Sequence, residues 1–521
     1  MAVDTLVFAA ITIVYLVVTM ALGYLGYRHT RETEDYLVAG RRIHPAILAL
    51  SYGATFISTS AIVGFGGVAG QLGMGLIWLT VFNIGVGIFI AFVVFGTKTR
   101  ELGQRMKALT FPDLMGKVYR SSFMQYATAA IIVIGMPLYT AAILIGGARF
   151  IEETLRIDYN LALLGFALIV AIYVVLGGLI AVMYTDALQG SVMLVGMTLL
   201  IFLTYITLGG VVEAHSALNA MSNLVPAALK AAGHTGWTSM PALGSPIWFT
   251  LVTTMVLGVG IGVLAQPQLI VRFMTVKDRR SLNRAVFVGG PFILMMTGVA
   301  FTVGALTNVY FYTNRNMTAL EVAGGNVDKI IPAYINSVMP DIFIVIFMLA
   351  LLAAAMSTLS SLFHTMGTAL GYDIWVYTSE GRPSLGASQR GIVLMILVSV
   401  LLAYVMPGGI IARATAMFMG LCASAFLPAF AYGLYAKNPS TLPARVSLIT
   451  GSLVWFLYTV LVHKAESEIL GISKALFGTV SILPMPWPVV DPLIVALPAS
   501  ILALLIGIQV GKEGRSGRIP Q

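Results

Sequence analysis

Apolar stretches of about twenty residues recur along the whole sequence, and no other feature limits the fold so severely. A helix rises ~1.5 Å per residue, so each stretch is long enough to cross the ~30 Å hydrocarbon core of a bilayer. A soluble chain could not enclose them all, because 58% of the 521 residues are hydrophobic and only 10% are charged. Backbone amides in lipid must be satisfied within their own segment, which leaves the helix as the spanning unit here. The expectation is an all-α polytopic membrane protein.

Thirteen helices are expected, at 4–27, 44–70, 72–97, 122–149, 160–178, 180–209, 247–271, 284–311, 341–371, 388–406, 409–436, 442–463 and 487–511. The first follows "MAVDT", which carries no basic residue, so it reads as a retained helix with its N-terminus outside and not as a cleaved signal. That orientation places "RHTRETEDYLVAGRR", "KTRELGQRMKALTFPDLMGKVYR", "RFMTVKDRRSLNR" and the tail "GKEGRSGRIPQ" in the cytoplasm. Of the 30 Lys and Arg, only Arg149, Arg156, Lys230, Arg315, Lys329, Arg413, Lys464 and Lys474 then lie outside. This is the positive-inside asymmetry, so the +9 charge signals topology and not nucleic-acid binding. The expected setting is a cell membrane, with the lipid bilayer as surroundings, a cytoplasmic C-terminus and no obligatory protein partner. A single cysteine, Cys422, excludes an internal disulfide framework and any multi-cysteine metal site. The long outer connections 210–246 and 312–340 are expected to carry short interfacial helices, with "NVDKIIPAYINSVMP" lying on the membrane surface.

Two of these helices are interrupted. "YGATFISTSAIVGFGG" in the second and "GVGIGVLAQPQ" in the seventh put small residues or proline in mid-span. They open two groups of five helices, 44–209 and 247–436, with 1–43 ahead, 210–246 between and 437–521 behind. Interrupted helices in corresponding positions point to an inverted-repeat transporter with its site near the bilayer midplane.

A second signal is the run "LLAAAMSTLSSLFHTMGTALGYD". On a helix Ala354, Ser357, Thr358 and Ser361 share one face, and Ser357, Ser360 and Ser361 form an overlapping triple. Small hydroxyl residues let membrane helices pack closely. Two stacked triples exceed what packing requires, and hard cations take oxygen ligands. Asp186, in "GGLIAVMYTDALQGS", is the deepest carboxylate on this map, ~10 Å from the turn at Gly177–Gly178 by helical rise. An acid at such depth is costly and marks function. Its depth is compatible with that of Ser360 and Ser361, so one cation can bridge them. Arg149 and Arg413, at outer helix ends, are expected to snorkel, and His364 to be a packed histidine.

Three stretches, "GGLIAVMYTDALQGSVM" (177–193), "AQPQLIVRFMTVKDRRS" (265–281) and "AAAMSTLSS" (353–361), supported by "LYTAAILIGGARFIEE" (138–153), carry a resemblance. From about residue 30 to about 440 the chain is similar to the sodium:solute symporter family. The resemblance implies a LeuT-like 5+5 inverted-repeat core, Na+ as the coupling ion, a small-molecule substrate and no organic cofactor. It implies one sodium site built from the carbonyls of Ala54, Ile57 and Ala354 with the hydroxyls of Ser357 and Thr358. A second site, as in members that move two ions, would use Asp186, Ser357, Ser360 and Ser361. The substrate is expected between the broken helices, against Ser58, Thr59, Ser60, Gln266 and Gln268, with Tyr139 matching a functional tyrosine of family members.

Sugar-carrying members use a glutamine on the first core helix and a glutamate on the second, where this chain has Ala61 and "LTVFNIG". Proline carriers place aromatics on the broken helices, where it has Ser60, Val259 and Val263. The texture is closer to the pantothenate and monocarboxylate permease branch. The implied function is sodium-coupled import of a monocarboxylate or pantothenate-like anion by alternating access. An amino-acid symporter, such as one for proline, and a proton-coupled carrier are the alternatives; a passive channel and a solute sensor are the rival classes. No Ser/His/Asp arrangement, Walker loop or metal-ligand cluster suggests an enzyme.

Overall fold

The computed structural model describes residues 5–375, 385–406 and 409–516. The expected placements of the two chain ends fall on residues 1–4 and 517–521, outside that set. Most of the described residues are helical, with no strand among them. The main helices are α1 (Thr5–His29), α2 (Pro45–Phe56), α3 (Ser60–Leu72), α4 (Met74–Arg105), α5 (Ser122–Leu155), α6 (Tyr159–Ile172), α7 (Gly178–Thr207) and α8 (Pro246–Ala265). They continue with α9 (Pro267–Phe273), α10 (Arg279–Arg315), α11 (Asp341–Trp375), α12 (Leu385–Val405), α13 (Ile411–Tyr435), α14 (Thr441–Leu461) and α15 (Leu493–Ser516).

Eleven helices among the described residues are long and apolar enough to cross a membrane, or twelve when α2 and α3 count as one bent span. This count does not confirm the expected thirteen, and it leaves out α6. That helix gives way to α7 at Gly178, whose φ of +61° turns the chain. A Cβ there would stand 2.5 Å from the Tyr36 ring, so the turn needs glycine for both conformation and space.

Local chemistry explains where the helices begin. Asp278 caps α10 by accepting from the Ser281 amide (2.7 Å), and Asp158 caps α6 by accepting from those of Asn160 and Leu161. One end of the bundle gathers the basic connections: Arg41 donates to the carbonyls of Ala108 and Met274, and Arg100 to that of Lys277. At the far end, Trp237 and Asn308 both donate to the Gly70 carbonyl. Ile13 and Val17 of α1, Leu397 and Leu401 of α12, and Leu502 and Ile506 of α15 face outward, a belt suited to lipid.

The outer connections do carry short helices, Val211–Ala220 and Ile330–Val338. The second does not lie on a surface. Ile330, Ile331, Tyr334 and Ile335 are buried, and the Tyr334 hydroxyl donates to Thr204 of α7 at 3.2 Å. Its apolar face turns into the protein and closes the far end over α3.

Candidate functional site

The site begins where α2 fails to continue. The Ile57 amide is the last to bond back into α2, at the Gly53 carbonyl (2.8 Å). Ile57 is extended (φ −89°, ψ 102°), and α3 restarts at a 54° bend. Ser58 supports the restart, its hydroxyl oxygen accepting from the Ser60 amide at 3.1 Å. A helix that ends this way strands its last carbonyls. The Thr358 hydroxyl, from α11, donates to those of Thr55 (3.0 Å) and Ala54 (3.4 Å). Ser357, on the same helix, is fully buried beside the Asp186 carboxylate, its side-chain oxygen making no well-formed hydrogen bond. The structure therefore brings Ala54, Ser357 and Thr358 together at the break with Ile57.

One turn toward the basic end lies a charged cluster. Asp186 and Arg272 are buried, at 0% and 1% side-chain exposure, and paired at 2.7 Å between Oδ2 and Nη2. Arg272 Nη2 also donates to the hydroxyls of Thr55 and Ser361, both at 2.5 Å, and Nε donates to Ser51 at 3.0 Å. Ser51 and Thr55 in turn donate to Asp186 Oδ2 at 2.8 and 3.2 Å. Ser360 is turned away from this cluster, its hydroxyl donating to the Ser357 carbonyl at 2.8 Å. A buried charge pair of this kind needs additional hydrogen bonds to offset its desolvation, and here they come from α2 and α11.

The second interruption falls at Gln266, extended at φ −72° and ψ 114°, with Pro267 opening α9. Gln266 and Gln268 bond to each other (2.8 Å), and the Gln268 carbonyl accepts from Arg272 Nη1 (2.7 Å). Both glutamines thus shape the break and the arginine's seat.

Between the broken helices lies a small cavity of about 20 Å³, lined by Phe56, Ile57, Ser58, Tyr139, Val259 and Phe301, with Asn83, Thr297 and Thr415 adding polar groups. Ser58 and Tyr139 are the candidate substrate residues that reach it. Thr59 donates instead to the Ile143 carbonyl (3.1 Å), and Ser60, Gln266 and Gln268 are buried elsewhere. Tyr139 stacks on Phe418 at 5.8 Å. No lining residue of this cavity is charged.

Sequence reasoning missed Arg272, Ser51, Thr55, Asn83, Thr297 and Thr415. For Arg272 the signal was a base set between the apolar Leu269–Val271 and Phe273–Met274, hidden by the Lys277–Arg280 cluster that follows. The others are lone polar residues on apolar helices, visible only once their neighbours are known. His364 is packed as expected, its Nε2 against the Tyr36 carbonyl at 3.0 Å.

The bent pair, its hydroxyl partner and the cavity between the broken helices define a membrane carrier. The sodium:solute symporter family model matches residues 36–451, and the chain belongs to that family. It is similar to a sodium/pantothenate symporter of Haemophilus influenzae, 27% identical over 483 residues, which span 90% of this chain and 94% of that one. It is also similar to sodium/proline symporter 2 of Staphylococcus saprophyticus, 26% identical over 488 residues, covering 91% and 89%. Among solved structures, a Na+-coupled sialic acid symporter in a substrate-bound outward-open state aligns over 96% of this chain and 98% of its own, with TM-score 0.70 and 16% identity. The expected LeuT-like architecture stands. The chain is a multi-pass sodium-coupled symporter for a small solute, and not an enzyme.

Proposed function

We propose that the coupling ion binds at the break, held by the carbonyls of Ala54, Ile57 and Ala354 and the hydroxyls of Ser357 and Thr358. The observation that carries this reading is the Thr358 hydroxyl on the stranded carbonyls of α2, with the buried Ser357 hydroxyl on the same helix. A hard cation prefers such a set of oxygens. The cavity beside it favours a small monocarboxylate, with an apolar body against Phe56, Phe65 and Phe301. Its carboxylate would meet neutral donors and the adjacent ion, since the walls supply no cation.

A second reading, proline or a similar amino acid, is favoured by one observation. The aromatics expected of proline carriers at other positions are supplied here by Phe56 and Phe65, which line the cavity from either side of the first break. Under either reading the carrier works by alternating access, with the basic end facing the cytoplasm by the positive-inside rule. One charge crossing 100 mV yields ~2.3 kcal/mol, and a tenfold sodium gradient adds ~1.4 kcal/mol.

The test is uptake of labelled C3–C5 monocarboxylates, pantothenate and proline into proteoliposomes under a sodium gradient. Sodium-dependent uptake of a monocarboxylate, lost in Ser357→Ala, is the expected result. Uptake of proline alone selects the second reading. Uptake driven equally by protons, and indifferent to Ser357→Ala, refutes both.

A further inference from the structure

Resting on the sodium-coupled reading above, we propose that Arg272 is a positioning residue for ion binding. Its guanidinium takes one oxygen of Asp186 and leaves the other for a sodium ion, so an ion there is held weakly and leaves readily.

The two carboxylate oxygens are in different circumstances. Oδ2 accepts from Arg272, Ser51 and Thr55 and is fully engaged. Oδ1 is buried without a well-formed hydrogen bond, and the Ser357 hydroxyl of the adjoining α11, the neighbour of this carboxylate, makes no well-formed bond either. Buried polar atoms left in this condition are rare and call for a ligand. Ser361, by contrast, faces the guanidinium and donates onward to the Ser357 carbonyl (3.0 Å).

A cation reaching Oδ1 and Ser357 would meet a carboxylate whose charge is already matched, with a second positive charge nearby. Like charges a few ångströms apart repel strongly in a dry interior. Arg272 cannot easily withdraw, because it is tied at once to α2 through Ser51 and Thr55, to α9 through the Gln268 carbonyl and to α11 through Ser361. Its charge is a fixed competitor, and removing it tightens the ion.

The experiment uses radioactive sodium on the purified full chain, measuring equilibrium binding and dissociation rate, so no solute is needed. In the wild type, one ion binds tightly and a second at least about tenfold more weakly. Arg272→Gln is expected to tighten the second ion by about tenfold or more and to slow its release, while Arg272→Lys stays near wild type. Asp186→Asn removes the second ion and keeps the first. If Arg272→Gln folds only in sodium and not in potassium, the ion has replaced the guanidinium and the proposal holds. Unchanged or weaker sodium binding in Arg272→Gln overturns it, as does an Arg272→Gln fold that sodium cannot recover but Asp186→Asn can. A wild type that binds no sodium brings down the symport reading and this proposal with it.

Discussion

At Asp186 one carboxylate organises hydroxyls and a guanidinium from α2, α9 and α11. Truncating its partner strands a buried charge, so Arg272→Ala is expected to cost about 3–5 kcal/mol in sodium-free detergent. Thermal melting checks this, and leucine at both positions should recover most of the loss if the charge is the cause. At the break, Thr358→Val removes one oxygen from the proposed sodium set. The expected effect is about 1–3 kcal/mol, a rise of roughly tenfold or more in the sodium concentration for half-maximal uptake, with Thr358→Ser near wild type. At this scale the sequence was half legible. An acid in an apolar helix announces itself, whereas Arg272 reads as the first base of a loop until the fold turns it inward.

Elements were more legible, because period and interruption are local properties. Both breaks were expected, and both occur, at Ile57 and Gln266. What period alone could not tell was direction: the apolar face of Ile330–Val338 fits a membrane surface as well as a protein one, and tertiary packing chose the latter. Close packing also fixes α3 against α10. A Cβ at Gly304 would lie 2.1 Å from the Gly66 carbonyl oxygen. Gly304→Val is therefore expected to force the helices apart and destabilise by at least about 1–3 kcal/mol, the usual cost of overpacking. Melting temperature and loss of uptake together would register it.

The whole molecule joins its C-terminal helices to the core through a buried cluster at the far end. Glu466 contacts His463 and lies 3.7 Å from Arg413 of α13. Asp491 precedes α15, accepting from the Leu493 amide at 2.8 Å. Burial pushes the Asp491 carboxyl up to about 6, although the neighbouring His463 pulls the other way. Burial would lower the His463 pKa, but the Glu466 carboxylate raises it overall, and burial of Glu466 is likewise overcome by His463, which holds that acid low. A raised acid binds its proton more tightly folded than unfolded. Its stabilisation is complete below the unfolded value near 3.8 and is lost as pH rises to about 6. Asp491→Asn is expected to remove a fall of about 2–3 kcal/mol across that window, read from melting temperatures between pH 4 and 7. His463 adds a loss above 6.5, and Glu466 one of opposite sense below 4.5. His463, Glu466 and Asp491 share the one connection between α14 and α15, but only the fold brings Asp491 back toward His463 and sets Arg413 of α13 beside Glu466.

Ile57 is both the residue at which α2 ends and a wall of the cavity. If its carbonyl holds the ion while its side chain borders the solute, the two ligands share a residue and their affinities are linked. Linkage is reciprocal: whatever factor sodium contributes to solute affinity, solute must return to sodium affinity. Titrating each ligand in the presence and absence of the other therefore has to close a thermodynamic square. A mutation at Ile57 that loosens the break is expected to shrink both coupling factors equally, turning a tightly geared carrier into one that leaks each of its cargoes alone.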